Sequence, residues 1–265
     1  MKIKPDPKKA LHYRRKRELK FILPKFPKGV FPLGLELGAG DGFQSTILAH
    51  YTQELISTDY STEKLPIINL ENIKYQQCDA EKVADYFEKE TFDLIFSSSM
   101  VEHLIDKKSF LNGMHSILKD QGIAIHIMPN RFWKLSHMTL HHFNYLILIL
   151  EKIFRIKSLK AQYPTDNPKK DKKYPALRRI LWPIPHGADK NNIEEFLNFG
   201  KKRWIELFEK NGFDVKKVIK GPVSSGYSLG FNKLRAFLEK IGLSSTFIYI
   251  LTKKNQNSDY LKYIE

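Results

Sequence analysis

Short apolar runs alternate with amphipathic segments in the first half of the chain, which predicts strands separated by helices. Residues 110–118 place apolar side chains at helical spacing, and Gly122 is the expected end of that helix. Since parallel strands need crossover connections, the alternation predicts a doubly wound, mostly parallel α/β sheet. The runs expected to be strands are Leu33–Leu37, Leu55–Asp59, Ile73–Asp79, Phe92–Ser97 and Ile123–Met128.

The alternation stops after the fifth run and resumes near residue 200, where the pattern predicts two more helix–strand pairs. The interruption, residues 131–192, is too long for an ordinary loop and is predicted to be an insertion on the acceptor side of one domain, residues 31–265. A basic arm, residues 1–30, precedes that domain. Within the insertion the pattern predicts a helix over 140–154, a mobile basic loop over 155–179 and a return at Pro183–Gly187. The later elements are expected at Lys201–Lys210, Phe213–Lys220, Phe231–Lys240 and Thr246–Thr252.

A glycine-rich turn, LELGAGDGFQS, directly follows the first predicted strand. In doubly wound sheets, ligands bind at the carboxyl ends of the strands, and glycines let a ligand lie against the backbone. Dinucleotide sites prefer the spacing G-x-G-x-x-G, whereas here Gly42 comes one position early and Phe43 follows it. The turn therefore departs from the dinucleotide pattern, and a glycine turn with no ligand is the less favoured alternative, given the strand before it and the helix after it.

The pattern E-x-G-x-G-x-G resembles the first motif of class I S-adenosylmethionine-dependent methyltransferases. Three later segments are similar to further motifs of that family: FDLIFSSS at the fourth strand and its end, LKDQGIAIHIMPN around the fifth, and WIELFEKNGFDVKKV near the end. The most similar group is the type-11 or ubiquinone-biosynthesis-like one. The resemblance implies a Rossmann-like fold with a seven-stranded sheet, and S-adenosyl-L-methionine as the cofactor.

The resemblance also implies which residues contact that cofactor. Asp59 ends the second strand, where a carboxylate accepts from both ribose hydroxyls, and Asp79 ends the third, near the adenine amino group. Backbone carbonyls after the fourth strand face the amino end of methionine. The implied cofactor residues are Glu36, Gly38, Ala39, Gly40, Gly42, Asp59, Tyr60, Cys78, Asp79, Ala80, Ser97 and Ser98.

Candidate catalytic residues follow the fourth strand in the segment SSSMVEHLID. His103 is the predicted general base, and Glu102 beside it could orient it or polarise the acceptor. The alternative is a helix-start pair that only caps and packs. His186, in PIPHG, is a further candidate for the acceptor pocket. His141 and His142 are expected to pack or face solvent, and no metal site is predicted.

Composition and charge indicate the compartment and the kinds of partner to expect. With 42% apolar residues the chain can bury a core, and its single cysteine, Cys78, is compatible with a reducing compartment. No apolar stretch suits a signal peptide, so a cytoplasmic protein is expected. The net charge is +15, and residues 1–20 and 155–179 each hold nine Lys or Arg. Such clusters attract polyanions or an anionic membrane, so peripheral contact with the inner membrane face is a further expectation, with plain solubility as the alternative.

The motifs bear on three classes of methyl acceptor: nucleic acids, proteins, and small or lipid-linked molecules. Amino-group methylation of bases usually needs an Asn/Asp-Pro-Pro-Tyr/Phe motif, where this chain has Ser97-Ser98-Ser99-Met100, and pyrimidine-carbon methylation needs a cysteine near that strand. Other RNA targets stay open, and nothing specific supports a protein substrate. The apolar helix and basic loop of the insertion favour a small, lipid-linked or saccharide-type acceptor. A non-catalytic cofactor-binding module is the remaining alternative. The oligomeric state is not predicted.

Overall fold

One mixed seven-stranded sheet organises the protein. The computed structural model describes residues 6–61, 63, 70–154, 181–225 and 231–264. The strand order is β3-β2-β1-β4-β5-β7-β6, and β7 alone runs antiparallel to its two neighbours. This confirms the predicted fold class. The strands are β1 (Phe31–Leu37), β2 (Thr52–Asp59), β3 (Ile73–Gln77), β4 (Phe92–Ser98), β5 (Leu118–Pro129), β6 (Phe213–Lys220) and β7 (Thr246–Lys253).

Helices cover both faces of this sheet and so enclose two apolar cores. One core lies against α3 and α6 and includes Phe110 and Phe208, and the other includes Leu48 of α2 and Ile264 near the chain end. Strand order reverses between β1 and β4, which opens a cleft at their carboxyl ends. The helices in the described residues are α1 (Pro7–Lys20), α2 (Phe43–Leu48), α3 (Lys107–Ile117), α4 (Arg131–Ile153), α5 (Asn192–Asn198), α6 (Lys201–Lys210) and α7 (Asn232–Lys240).

The N-terminal segment differs from the predicted arm, because its described part is a helix packed on the sheet. Asp6 caps α1 by accepting from the Lys8 backbone N–H at 2.9 Å. Leu19, Ile22 and Phe26 then enter the same core as Leu48. Buried side chains therefore tie residues 19–26 to the domain that was expected to begin at residue 31.

Two predicted element ends are wrong. The helix before β5 ends at Ile117, and Gly122 lies within the strand, at an irregular pairing where β5 shifts register against β4. A Cβ at Gly122 would come within 2.9 Å of the Phe92 carbonyl oxygen, so this close approach requires glycine.

The helix expected over 140–154 instead begins at Arg131, directly after β5, and runs to Ile153. Asn130 caps it by accepting from the Trp133 backbone N–H at 3.0 Å. No helix in the described residues is long and apolar enough to cross a membrane. The predicted basic loop over 155–179 lies outside the described residues.

The segment from Arg131 to Leu197 leaves and rejoins the sheet at neighbouring points. The Arg131 guanidinium donates to the carbonyl oxygens of Phe196 and Leu197 at 3.1 and 3.0 Å. On the sheet side, Asn130 N–H donates to Ser245 at 3.0 Å. The two ends of the segment are thus fastened beside the carboxyl edge of the sheet.

Candidate functional site

The glycine turn forms a concave stretch of backbone at the carboxyl end of β1. Gly38, Gly40 and Gly42 have φ angles of +77°, +58° and +72°, a region that L-residues with side chains rarely adopt. A Cβ on Gly38 would meet the Met100 side chain at 2.8 Å, whereas the space beside Gly40 is open. The backbone N–H groups of Gly38 and Ala39 both donate to Thr58, which joins the turn to β2.

Asp59 ends β2 directly beside this turn, as predicted. Its Oδ2 accepts from the Gly40 backbone N–H at 2.9 Å and its Oδ1 from Ser61 N–H at 3.0 Å. Tyr60 follows with its side chain largely exposed. The geometry therefore puts a largely buried carboxylate against the turn, and its contact with a ligand's hydroxyl groups stays a prediction.

Glu36 has a different environment from the other predicted cofactor residues, because it is buried behind the turn. The Ser57 hydroxyl donates to its carboxylate at 2.8 Å. Burial raises the pKa of Glu36 to about 7, although bonds from Ser45 and Ser57 and the charge of Arg15 act in the opposite direction. Glu36 thus supports the turn from within and sits near its charge transition at neutral pH.

The end of β3 brings the next three predicted residues together. Asp79 accepts from the Glu81 backbone N–H at 3.0 Å and caps the short 3₁₀ helix Ala80–Asp85. Cys78 is buried, and burial followed by the charge of Asp79 raises the pKa of its thiol to about 12. Cys78 is therefore an uncharged thiol, and contact of Asp79 with an adenine group stays a prediction.

The two predicted serines at the end of β4 have different surroundings. Ser97 is buried and its Oγ lies 2.7 Å from Nδ1 of His126, whose pKa burial lowers to about 3. Ser98 Oγ instead accepts from Arg15 Nη1 at 2.6 Å, and the same nitrogen donates to Ser99 at 2.9 Å. The same guanidinium pairs with the buried Glu18 at 3.0 Å, so α1 supplies an ion pair to the carboxyl edge of the sheet.

Sequence reasoning missed the part that α1 plays at the site. His12 lies with Nε2 2.7 Å from Asp41 Oδ2 and stacks on Phe43 at 4.1 Å. Burial raises the pKa of Asp41, but bonds from His12 and the Phe43 N–H and the charge of Lys8 outweigh this effect and hold the pKa below its usual value. The Asp-Pro pair at residues 6–7, a frequent helix start, was the sequence signal for α1.

The three predicted catalytic residues lie together, although His186 is remote in sequence. The rings of His103 and His186 are 4.6 Å apart, and His186 Nε2 lies 4.0 Å from Glu102 Oε1. One ligand atom from each of the three lies within 4.8 Å of the others. This group, here called the catalytic cluster, offers two imidazoles and a carboxylate that could move a proton or hold a divalent ion.

A buried polar network holds His186 against the cluster. The Gly187 N–H donates to Glu195 Oε1 at 2.5 Å, and Glu195 pairs with Lys134 in a fully buried contact. The Ala188 N–H donates to the Glu102 carbonyl oxygen at 2.9 Å. A Cβ at Gly187 would approach that oxygen to 2.6 Å, so only glycine allows the close passage. Helices α4 and α5 therefore fix the loop that carries His186.

These residues fit S-adenosylmethionine. The cofactor needs bare backbone beside its methionine part and a carboxylate for its ribose, and the open space at Gly40 beside Asp59 offers both. The catalytic cluster follows β4, the strand next to β1, and so lies at the same edge of the sheet as the glycine turn.

Comparison with known proteins gives the same class. Residues 35–126 match a family model described as a methyltransferase domain. Two ubiquinone biosynthesis O-methyltransferases are similar in sequence. The one from Ruegeria pomeroyi is 30% identical over 103 residues, which are 37% of this chain and 41% of that protein. The one from Bartonella bacilliformis is 27% identical over 124 residues, or 44% and 49% of the two chains. The chain thus matches less than half the length of these relatives.

Solved structures extend the likeness of the fold to nearly the whole chain. A SAM-dependent methyltransferase from Archaeoglobus fulgidus covers 92% of this chain with 94% of its own, at a TM-score of 0.53 and 14% identity. Another from Aquifex aeolicus covers 94% with 100% of its own, at 0.50 and 13%. At such identities the likeness is one of fold.

Domain match, motif geometry and architecture agree on a class of protein, the Rossmann-like transferases that use a sulfonium cofactor. The matched domain and the fold support a class I S-adenosylmethionine-dependent methyltransferase, and S-adenosylmethionine is the cofactor that they imply.

Proposed function

We propose that this protein transfers a methyl group from S-adenosylmethionine to a hydroxyl group of a small, lipid-linked or saccharide-type acceptor. The observation that carries the proposal is the catalytic cluster, which has two imidazoles and a carboxylate next to the strand that faces the cofactor cleft. A hydroxyl acceptor must lose a proton on methylation, and this cluster can take it. The similar proteins named above are O-methyltransferases of small molecules, which agrees with this choice.

The cofactor supplies an activated methyl group, so the protein's part is alignment and proton removal. In this proposal the glycine turn and Asp59 hold the nucleoside. Arg15 is paired with Glu18 at the end of β4, and in this proposal the other donors of its guanidinium attract the cofactor's carboxylate. His103 takes the acceptor proton, and Glu102 and His186 orient and stabilise the imidazolium that forms. Trp133, whose ring lies 4.8 Å from that of His186, forms an apolar wall on the acceptor side.

A ligand-binding experiment tests the cofactor part. S-adenosylhomocysteine binds only the folded protein and should raise Tm, whereas NAD should not. Asp59→Ala should lose most of this shift, while Asp85→Ala, an exposed carboxylate in the 3₁₀ helix, should keep it. A shift with NAD alone would overturn the assignment of cofactor.

A second arm tests the reaction. Formation of S-adenosylhomocysteine is measured with a panel of soluble phenols, monosaccharides and structured RNA. Turnover with a hydroxyl compound supports the proposal. Turnover only with RNA would move the protein to the RNA methyltransferases, and cofactor binding without turnover on any acceptor would favour the non-catalytic module.

A further inference from the structure

Helix α4 is amphipathic in the reverse of the usual sense. A surface helix normally turns its apolar side to the core and its polar side to water. In α4 the polar residues Lys134, His141 and Asn144 are buried. Their position is fixed in part by the pairing of Lys134 with Glu195 and by the contact of the His141 ring with Tyr145 at 4.9 Å. The inward side of α4 therefore uses polar contacts.

The opposite side of α4 is an exposed apolar stripe. Residues three, four and seven positions apart share one side of a helix, and these positions carry leucine, isoleucine or phenylalanine over the outer half of α4. Leu146 is 51% exposed and Ile153 is 65% exposed. The exposed apolar residues of the stripe are Leu135, Phe143, Leu146, Ile149, Leu150 and Ile153. These side chains therefore do not cover the sheet as part of its core.

Helix α7 extends the stripe. None of its residues is buried, and its exposed apolar side chains again recur at helical spacing. The rings of Phe143 and Phe231 lie 6.3 Å apart, so the two exposed surfaces meet. Together they form what we call the α4–α7 face. Its α7 members are Phe231, Leu234, Phe237 and Ile241.

Charge around this face is positive. Helix α4 contains no acidic residue before Glu151, and in α7 the only acid, Glu239, is paired with Arg17. Lys233 and Lys240 of α7 are exposed beside its apolar side chains. Exposed apolar surface rimmed by lysine suits an anionic lipid surface, where apolar insertion and electrostatic attraction add together. A second copy of this chain would instead bring another net charge of +15 against the first.

We propose that the α4–α7 face docks this protein onto the surface of an anionic membrane, with α4 and α7 lying in the plane of the lipid headgroups. The described helices do not span a bilayer, which agrees with interfacial rather than transmembrane contact. The sequence suggested membrane contact through the apolar helix of the insertion and through the basic clusters, and the proposed face keeps only the helix. Arg15 and Arg17 of the basic N-terminal segment are engaged within the protein, with Ser98 and Glu239.

Docking has a direct use for catalysis, and this step rests on the proposed function. Trp133 lies on the inward side of α4 and contacts the ring of His186. One helix therefore connects the membrane face with the catalytic cluster. An acceptor carried by lipid could reach His103 along α4 while its lipid part stays in the membrane interface.

The experiment is co-sedimentation of the full chain with phosphatidylglycerol-containing vesicles and with phosphatidylcholine vesicles, over a series of salt concentrations. Two variants probe the two helices separately: Leu146→Ser with Ile149→Ser on α4, and Phe237→Ser on α7. The matched control is Tyr86→Ser, an exposed aromatic side chain before β4, outside the face. Each lost large apolar side chain should lower the partition coefficient about tenfold. Because the changed residues are exposed, Tm and the shift with S-adenosylhomocysteine should stay at wild-type values, which separates failure of docking from failure of the proposed function.

Binding to the anionic vesicles that both variants weaken and Tyr86→Ser does not would support the proposal. Equal binding by all proteins would overturn it, because the charge alone would then hold the protein. No vesicle binding at low salt would overturn it as well. Light scattering that shows a wild-type dimer, separated into monomers by Leu146→Ser with Ile149→Ser and unable to bind vesicles, would assign the face to a second copy instead.

Discussion

His12 of α1 stacks on Phe43 of α2, with ring centroids 4.1 Å apart and ring planes 6° from parallel. Phe43 is the residue that directly follows Gly42, so the N-terminal helix is fastened to the start of the helix after the glycine turn. The Arg15–Ser98 bond fastens the same helix to β4. Helix α1 therefore forms one wall of the cofactor cleft, between the glycine turn and the end of β4.

Arg15 should matter for cofactor affinity. Arg15→Ala removes a guanidinium from the end of β4, and a charge-assisted bond to a carboxylate contributes about 1.5–3 kcal/mol, so the Kd of S-adenosylhomocysteine should rise about tenfold or more. Isothermal titration calorimetry measures the effect. Lys16→Ala removes an exposed charge of the same helix and serves as the control. Equal Kd values for the two variants would show that Arg15 only holds α1 in place.

His103 should affect turnover rather than cofactor binding. A general base contributes about 10²–10⁴-fold, so His103→Ala should lower kcat by that factor while leaving the Kd of S-adenosylhomocysteine unchanged. His50→Ala, an exposed histidine after α2, should leave both quantities at wild-type values. Unchanged turnover in His103→Ala would favour the packing alternative.

Treatment with EDTA distinguishes a base from a metal ligand in the catalytic cluster. If His103 acts as a base, kcat should not change when divalent ions are removed. Loss of turnover that Zn²⁺ or Mg²⁺ restores would show instead that the three clustered donors hold an ion, and His103 would then be a ligand. Metal content of the purified protein, measured by mass spectrometry, provides an independent reading.

Two buried groups should give the stability an unusual pH dependence. The pKa of Glu36 rises from 4.5 to about 7 on folding, so its protonated form favours the folded state and stability increases as the pH falls from 7 to 4.5. The pKa of His126 falls from 6.5 to about 3, so stability decreases as the pH falls below 6.5. Each effect has a limiting slope of about 1.4 kcal/mol per pH unit.

Between about pH 6.5 and 4.5 these two effects oppose each other, and the contribution of the pair should be nearly flat. Urea unfolding across this range checks the balance. Glu36→Gln should lose stability as the pH falls below 6.5, because His126 then acts alone, whereas His126→Phe should gain stability over the same range. Parallel curves for the two variants would contradict the opposing assignments.

The buried Lys134–Glu195 pair should be costly to break on one side only. Lys134→Met leaves a buried carboxylate without its partner and should lower the free energy of unfolding by about 3–5 kcal/mol. The double change Lys134→Met with Glu195→Leu should recover much of this loss, since both charges are gone. Glu195 also accepts from the Gly187 N–H and so holds the loop that carries His186. The double variant loses this bond, so its kcat should stay below the wild-type value even where its stability returns. Recovery of both stability and kcat would show that the buried network does not position His186.

Most of the sheet could be predicted because its signals are local. The apolar run before the glycines indicates β1, and Lys201–Lys210 and Phe213–Lys220 are seen at the predicted bounds. Asp59 could be placed at the cleft because a residue that ends a parallel strand lies at its carboxyl edge. The meeting of His103 with His186 depends instead on tertiary contacts beside His186, those of Gly187 with Glu195 and of Ala188 with Glu102, which no local pattern encodes.

The errors also have physical reasons. Helix α4 was predicted to be shorter because its inward residues Lys134, His137 and His141 are polar, so the usual apolar period does not mark its first turns. The sequence groups Arg15 with the surface charges. Its contact at the site is with Ser98, which lies 83 residues away in the chain, so no local pattern indicates it.

The clamp of Arg131 on Phe196 and Leu197 has a consequence for protein engineering. Because the chain enters and leaves the segment 131–197 at adjacent points, this segment can be exchanged as a cassette without altering the order or length of any strand. The cofactor half, which includes the matched domain at residues 35–126, would stay intact. A transplanted segment with a different inner surface would bring its own acceptor preference, so the substrate of such a scaffold could be changed by joining a new segment at two adjacent points.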